Sequence, residues 1–136
     1  MEPGRLLGLD VGERRIGVAL SDAERRLASP LEIIVRRGAL QDFGRLADLT
    51  RQHAVSAIVV GLPRTLRGEI GPQARRVQRW VERLTPHLDV PVVYADERYS
   101  TAEAARRVAA SGRRAPAHLD AAAAAVILQD YLDETR

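Results

Sequence analysis

Three carboxylates in distant parts of the chain stand where they could act together. They are Asp10 in Gly8-Leu9-Asp10-Val11-Gly12, Glu97 in Asp96-Glu97-Arg98, and Asp120 in His118-Leu119-Asp120. Clustered carboxylates repel one another and raise one another's pKa unless a cation sits among them. With divalent ions they form a one- or two-metal site for displacement at phosphorus. The chain has no Cys, and its His residues (His53, His87, His118) are widely separated. Any metal would therefore be held by oxygen, which points to Mg²⁺ or Mn²⁺. Each acid also has a plainer reading. Asp10 would serve as a turn residue before Gly12, Glu97 as a solvated charge, and Asp120 as a partner of its helix dipole. Asp22 and Asp96 read as structural.

The basic side chains complement this picture. All 21 are Arg and none is Lys, against 18 acids, so the net charge is +3. Absence of Lys excludes Schiff-base chemistry and the Lys-containing phosphate loop. Absence of Cys excludes thiolate metal sites, Cys nucleophiles and disulfides. Arg keeps its charge and binds phosphate with a planar fork of donors. Arg64, Arg67, Arg75, Arg76, Arg79 and Arg83 crowd one stretch, and Arg98, Arg106, Arg107, Arg113 and Arg114 another. Arg75, Arg79 and Arg83 recur at i, i+4 and i+8, on one helix face. Arg14, Arg64, Arg67 and Arg98 are the nearest candidates for holding substrate phosphates, with Arg75 and Arg79 on the helix stripe. A solvated helix face is the alternative for that stripe. Aromatic residues are few, which favours recognition of backbone or shape over base stacking.

The elements that must position these residues are legible from periodicity. Residues 6–11 and 15–21 read as strands of a hairpin, and residues 31–35 as a third strand after the breaker Ser29-Pro30. Apolar spacing predicts a helix over 40–53, a strand over 57–61, a helix from about 74 that stops before Pro86, and a strand over 90–95. Ser100 with Glu103 is a capping-box signature, predicting a helix to about Ser111-Gly112. A final, largely apolar helix runs from about Ala117 to Asp133. A meander followed by alternating helix and strand gives an α/β fold: a mixed sheet with helices on both faces. Strand order 3-2-1-4-5, with strand 2 antiparallel, is the ribonuclease H-like layout; periodicity alone equally allows other α/β orders. In that order the carboxyl ends of strands 1, 4 and 5 share an edge, where sites of such sheets form. Strands 1 and 5 are then two spacings apart, roughly 10 Å.

A chain of 136 residues is expected to form one domain, 1–136. It lacks the run of roughly 18 apolar residues needed to span a membrane, and its start has no signal-peptide layout. A cytoplasmic location is expected.

Several stretches resemble one family. Gly8-Leu9-Asp10-Val11-Gly12-Glu13-Arg14-Arg15-Ile16-Gly17-Val18-Ala19-Leu20-Ser21-Asp22 is similar to the opening motif of the YqgF or RuvX family, whose members are Holliday-junction-resolvase-like. Ala28-Ser29-Pro30-Leu31-Glu32 resembles its next segment, and Val60-Gly61-Leu62-Pro63 with Gly68 its strand-4 motif. Asp96-Glu97-Arg98-Tyr99-Ser100-Thr101-Ala102-Glu103-Ala104 resembles its most diagnostic stretch, and Asp120 to Gln129 its closing helix. The motifs occur in order over nearly the whole chain.

The resemblance implies a ribonuclease H-like fold and a nuclease that processes the 5′ end of pre-16S ribosomal RNA in the bacterial cytoplasm. Carried over by motif, Asp10, Glu97 and Asp120 are the catalytic and metal-binding acids. Expected partners are structured RNA of a ribosome precursor, and branched DNA, for a monomer or homodimer without membrane attachment. The family usually has an Asn and an acidic residue where this chain has Thr65 and Arg67. True resolvases carry a Glu at the end of strand 4, where this chain has Gly61-Leu62-Pro63, which ranks junction resolution second. Two further readings stand beside these. Asp10-Val11-Gly12 also resembles the first phosphate motif of actin-like ATPases, but those enzymes close two such domains around a nucleotide. A non-catalytic RNA-binding ribosome-assembly or transcription factor would leave the carboxylates without a reaction.

Overall fold

The computed structural model describes residues 4–63, 67–97 and 118–135. Strands β1 (Arg5–Val11) and β2 (Arg15–Ser21) form an antiparallel hairpin, and β3 (Ala28–Val35) continues the meander. Helix α1 (Ala39–Gln52), strand β4 (Val55–Pro63), helix α2 (Pro72–Leu84) and strand β5 (Val92–Glu97) follow, and helix α3 (His118–Glu134) closes the chain. The expected helix over 100–112 lies outside the described residues. The sheet order is β3-β2-β1-β4-β5, with β4 parallel to both β1 and β5. This is the order expected of the ribonuclease H-like layout.

Alternation along β1 explains the two layers. Leu7 and Leu9 pack with Phe43 and Leu46 of α1 and with Val77 and Trp80 of α2. Leu6, from the other face, packs with Ala124, Leu128 and Leu132 of α3. A strand buried on both faces must be apolar at every position, and β4 obeys the same rule, with Val60 on the first face and Val59 on the second. The α1–α2 layer is closed by an edge-to-face pair, Phe43 with Trp80 at 5.6 Å between ring centroids.

The strand limits differ from periodicity in an informative way. β3 begins at Ala28, so Ser29-Pro30 lies inside the strand instead of ending the preceding segment. The register jumps from Val18↔Glu32 to Ala19↔Pro30, which leaves Leu31 as an extra residue. A proline without an N–H is tolerated there because β3 is an edge strand with a bulge. β5 likewise extends through Asp96 and Glu97, opposite Leu62 and Pro63 of β4.

Helix α3 approaches the sheet at Gly8. A β-carbon there would stand 2.7 Å from Cβ of Leu128 and 3.2 Å from the Ala124 carbonyl oxygen. Gly8→Ala should therefore push α3 outward. Overpacking of this kind costs about 1–3 kcal/mol, and denaturant unfolding should show a lowered midpoint with an unchanged slope. An unchanged midpoint would mean that α3 is not seated on bare backbone.

Candidate functional site

Asp10 is 6% exposed, the one carboxylate buried in β1. Its position follows from the pleat: Leu6 and Gly8 meet α3, so the two-residue period puts Asp10 on the α3 face as well. Its cross-strand neighbours on that face carry no side chains. Asp10 pairs with Gly17 of β2. On the other side Leu9 pairs with Val60, which sets Asp10 level with Gly61 of β4, and Gly61 pairs with Ala95 of β5. A row Gly17–Asp10–Gly61–Ala95 thus crosses the sheet. Two glycines and an alanine thus flank the carboxylate along this row, so no bulky side chain from a neighbouring strand stands level with it.

The other two acids are placed by backbone. Glu97 ends β5 opposite Pro63, two residues beyond Ala95. That is two strands and two residues from Asp10, roughly 12 Å between backbones at standard spacings. Asp120 stands in the first turn of α3, one turn before Ala124 in the series Ala124, Leu128, Leu132 that packs on β1. Leu6 lies by Leu132, and Gly8 by Leu128 and Ala124, so α3 runs antiparallel to β1. Two residues of strand and four of helix both advance by about 6–7 Å. The next step along β1, Asp10, therefore meets the turn that begins with Asp120. The side chains of Glu97 and Asp120 lie outside the described residues. Among the described ones, no group of three His, Cys, Asp or Glu is arranged to hold a metal ion.

The loop after β2 fastens α3 in this register. Gln129 accepts a hydrogen bond from the Ala28 N–H at 2.9 Å and donates one to the Arg26 carbonyl at 3.0 Å. Asp22 holds the same loop, since its Oδ1 accepts the N–H groups of Arg26 at 2.7 Å and Leu27 at 3.2 Å. Asp22 is thus structural, as its sequence context suggests.

The arginines divide between the two faces. Arg64 and Arg98 lie outside the described residues. Arg14 is exposed in the β1–β2 turn and Arg67 is exposed beyond β4. Arg75 and Arg79 are exposed on α2, which packs on the face opposite Asp10. The structure therefore does not bring them to the carboxylate's side of the sheet. Instead α2 borders a groove of about 630 Å³ against the β1–β2 turn, lined by Arg36, Arg76, Arg79 and Arg83. Arg36 carries no one-dimensional signal, because it reaches α2 only once β3 has folded back beside β2. Arg76 and Arg83 are visible in the sequence, but the groove uses the spacing 76/79/83, while the i, i+4 stripe runs through Arg75.

Comparison with known proteins agrees with this architecture. A family model described as RuvX, Holliday junction resolvase, matches residues 4–134. A protein of Roseiflexus sp. (strain RS-1), provisionally named a pre-16S rRNA nuclease, is 49% identical over 99% of this chain and 98% of its own length. One of Chloroflexus aggregans with the same provisional name is 44% identical over 100% and 98%. Among solved structures, Thermus thermophilus RuvC in complex with a Holliday junction substrate superposes with a TM-score of 0.58 at 16% identity, covering 97% of this chain and 96% of that one. The fowlpox virus Holliday junction resolvase gives 0.53 at 14%, covering 96% and 99%. At these identities the structures share the fold.

The clamp on α3 should respond to acid. Hydrogen bonds from the Arg26 N–H, and then from the Leu27 N–H, hold the Asp22 carboxyl below its ordinary value. A carboxylate whose pKa is depressed by folding contributes order above its unfolded pKa and loses it as pH falls through the folded one. Protection of the Arg26, Leu27 and Ala28 amides, measured against their intrinsic exchange rates at each pH, should therefore fall below about pH 4. Asp22→Asn should show the lowered protection at neutral pH too. Exchange in that variant identical to the parent at neutral pH would remove Asp22 from the clamp.

Proposed function

The chain belongs to the RuvX, Holliday junction resolvase family, and from that premise we propose that residues 1–136 act as one nuclease domain on the 5′ end of pre-16S ribosomal RNA. The substrate is then a structured RNA in a cytoplasmic ribosome precursor. Asp10, Glu97 and Asp120 are the catalytic acids, and together they hold a divalent cation, Mg²⁺ or Mn²⁺. The observation that carries this reading is Asp10 itself: a carboxylate at 6% exposure, flanked on its own face by Gly17 and Gly61. A purely structural Asp has no need of side-chain-free neighbours on both strands.

The donor chemistry fits a hard cation. Every acid in the set offers carboxylate oxygen, and neither thiolate nor clustered imidazole competes. Such an ion, when bound, supplies Lewis-acid chemistry at phosphorus and a nucleophile active at neutral pH. The chain's own residues do the rest. β1 holds Asp10 between two hydrogen-bonded strands, and the backbone of β5 carries Glu97 to the end of the sheet opposite Pro63 of β4. The packing of α3 on Gly8 brings Asp120 to the same end of the sheet. Arg14, Arg64, Arg67 and Arg98 follow or flank these strand ends and bind the phosphates of the substrate. Branched DNA is the second reading, and the description of the family model favours it.

Two measurements test the proposal. A pre-16S 5′-end fragment and a four-way DNA junction should be offered with Mg²⁺ and with Mn²⁺. The RNA should be cut, and Asp10→Asn should lose more than the roughly 10–100-fold typical of outer-shell changes at metal sites. Equal residual activity in parent and variant would show that Asp10 is not catalytic. Independently of cleavage, Mn²⁺ should raise the melting temperature of the parent by mass action and leave that of Asp10→Asn unmoved.

A further inference from the structure

The groove on the α1–α2 side of the sheet is separate from the carboxylates, and it joins Arg79 and Arg83 of the sequence stripe to Arg36 and Arg76, which the stripe does not include. Four guanidinium groups line it: Arg36, Arg76, Arg79 and Arg83, with Glu13 as its one acidic neighbour. Ion pairs of other arginines are present, such as Arg45 with Glu32 at 2.6 Å and Arg51 with Asp48 at 3.1 Å. Among the described residues, none of the four groove arginines is in such a pair.

Arg36 is not a loose surface chain. Its Nη1 donates to the Gly12 carbonyl at 2.8 Å, and its guanidinium lies 6.0 Å from the centroid of the Trp80 ring. The Arg36 N–H also donates to the Arg14 carbonyl at 2.9 Å. One donor of five is spent on Gly12, so the rest of a pre-oriented fork remains for an anion. Arg76, Arg79 and Arg83 stand opposite at i, i+3 and i+7 of α2, on a rigid helix. Cations gathered at this density without matching carboxylates are an arrangement suited to phosphate.

The position of the groove names the kind of phosphate. Val11 and Gly12 line it, while Asp10, the preceding residue, faces the other side of the same strand. The groove and the carboxylate thus flank one sheet edge, the carboxyl end of β1. A polyanion passing over that edge reaches both. We propose that the groove binds backbone phosphates of the substrate strand at nucleotides remote from the scissile bond, so that the strand wraps the carboxyl end of β1. This rests on the reading of the chain as a nuclease, and it adds a subsite on the opposite face of the sheet.

The test is RNA binding in the presence of EDTA, so that no hydrolysis intervenes. Affinity for a single-stranded RNA is followed against salt for the parent, for R76Q/R79Q/R83Q, for the charge-keeping R76K/R79K/R83K, and for R45Q/R51Q as a control for charge elsewhere. Each lost phosphate contact should flatten the slope of log K against log salt by about 0.7 for a single strand. The Gln triple should thus lose about 2 in slope and at least roughly tenfold in affinity at low salt. The Lys triple and the α1 control should keep the parent slope. AMP and inorganic phosphate should bind too weakly to separate the variants. An unchanged slope in the Gln triple overturns the proposal. So does an equal loss for AMP and for the strand, which would make the groove an isolated nucleotide site. Failure to cleave with any metal would instead count against the nuclease reading, and it leaves this binding measurement intact.

Discussion

At Gly8 the closing helix lies against bare strand backbone, with no room for a methyl group between the strand and Leu128. That contact fixes the height of α3 above the sheet and its register along β1. Because strand and helix advance by nearly equal steps, one fixed point sets the whole antiparallel alignment, from Leu6 by Leu132 to Asp10 by the first turn of α3. Interiors pack without slack, so a helix seated this closely cannot slide without clashing. The Gln129 hydrogen bonds to Ala28 and Arg26 lock the same register from the far side of the helix. The carboxylates of the proposed site depend on this alignment more than on any direct contact between them.

The same absence of side chains recurs beside Asp10, for a different reason. At Gly8 it admits a helix. At Gly17 and Gly61 it keeps the strand positions beside Asp10 clear of bulky side chains. A sheet that buries Asp10 between two glycine positions suits the proposed reading, in which the carboxylate serves a site at the end of β1. Glycine in a strand interior weakens the strand, and β2 and β4 bear that cost inside the sheet, where each is paired on both sides.

Much of this was legible in the chain because single positions broke strong patterns. Asp10 stands out as one charge in an otherwise apolar strand, and the change from meander to alternating helix and strand yields the sheet order. Other features needed the third dimension. Pro30 reads locally as a breaker, yet it sits within β3 because an edge strand with a bulge has no use for the missing N–H. Asp96 and Glu97 read as residues beyond a strand, yet the parallel partner β4 extends the ladder through them. The spacing of Arg75, Arg79 and Arg83 identifies a helix face but not the face of the sheet on which that helix packs. Arg36 joins Arg76, Arg79 and Arg83 only through the return of β3 alongside β2, a pairing between residues about forty positions apart in sequence.

The side of the sheet matters for electrostatics. An arginine about 4 Å from a carboxylate near a protein surface interacts by about 4 kcal/mol at an effective dielectric constant of 20. Arginines packed around Asp10 would compete with any divalent ion there. Asp10 lies in the sheet itself, so the α2 arginines stand one packed layer away, roughly 10 Å. At that distance a pair of unit charges interacts by about 0.4 kcal/mol in water, before screening with a Debye length of about 8 Å. The α1–α2 face can therefore carry a dense cationic groove with little effect on the Asp10 carboxylate of the α3 face. On the proposed reading, a polyanion carrying a metal ion would meet both from one sheet edge, the metal at the carboxylates and the free phosphates at the arginines.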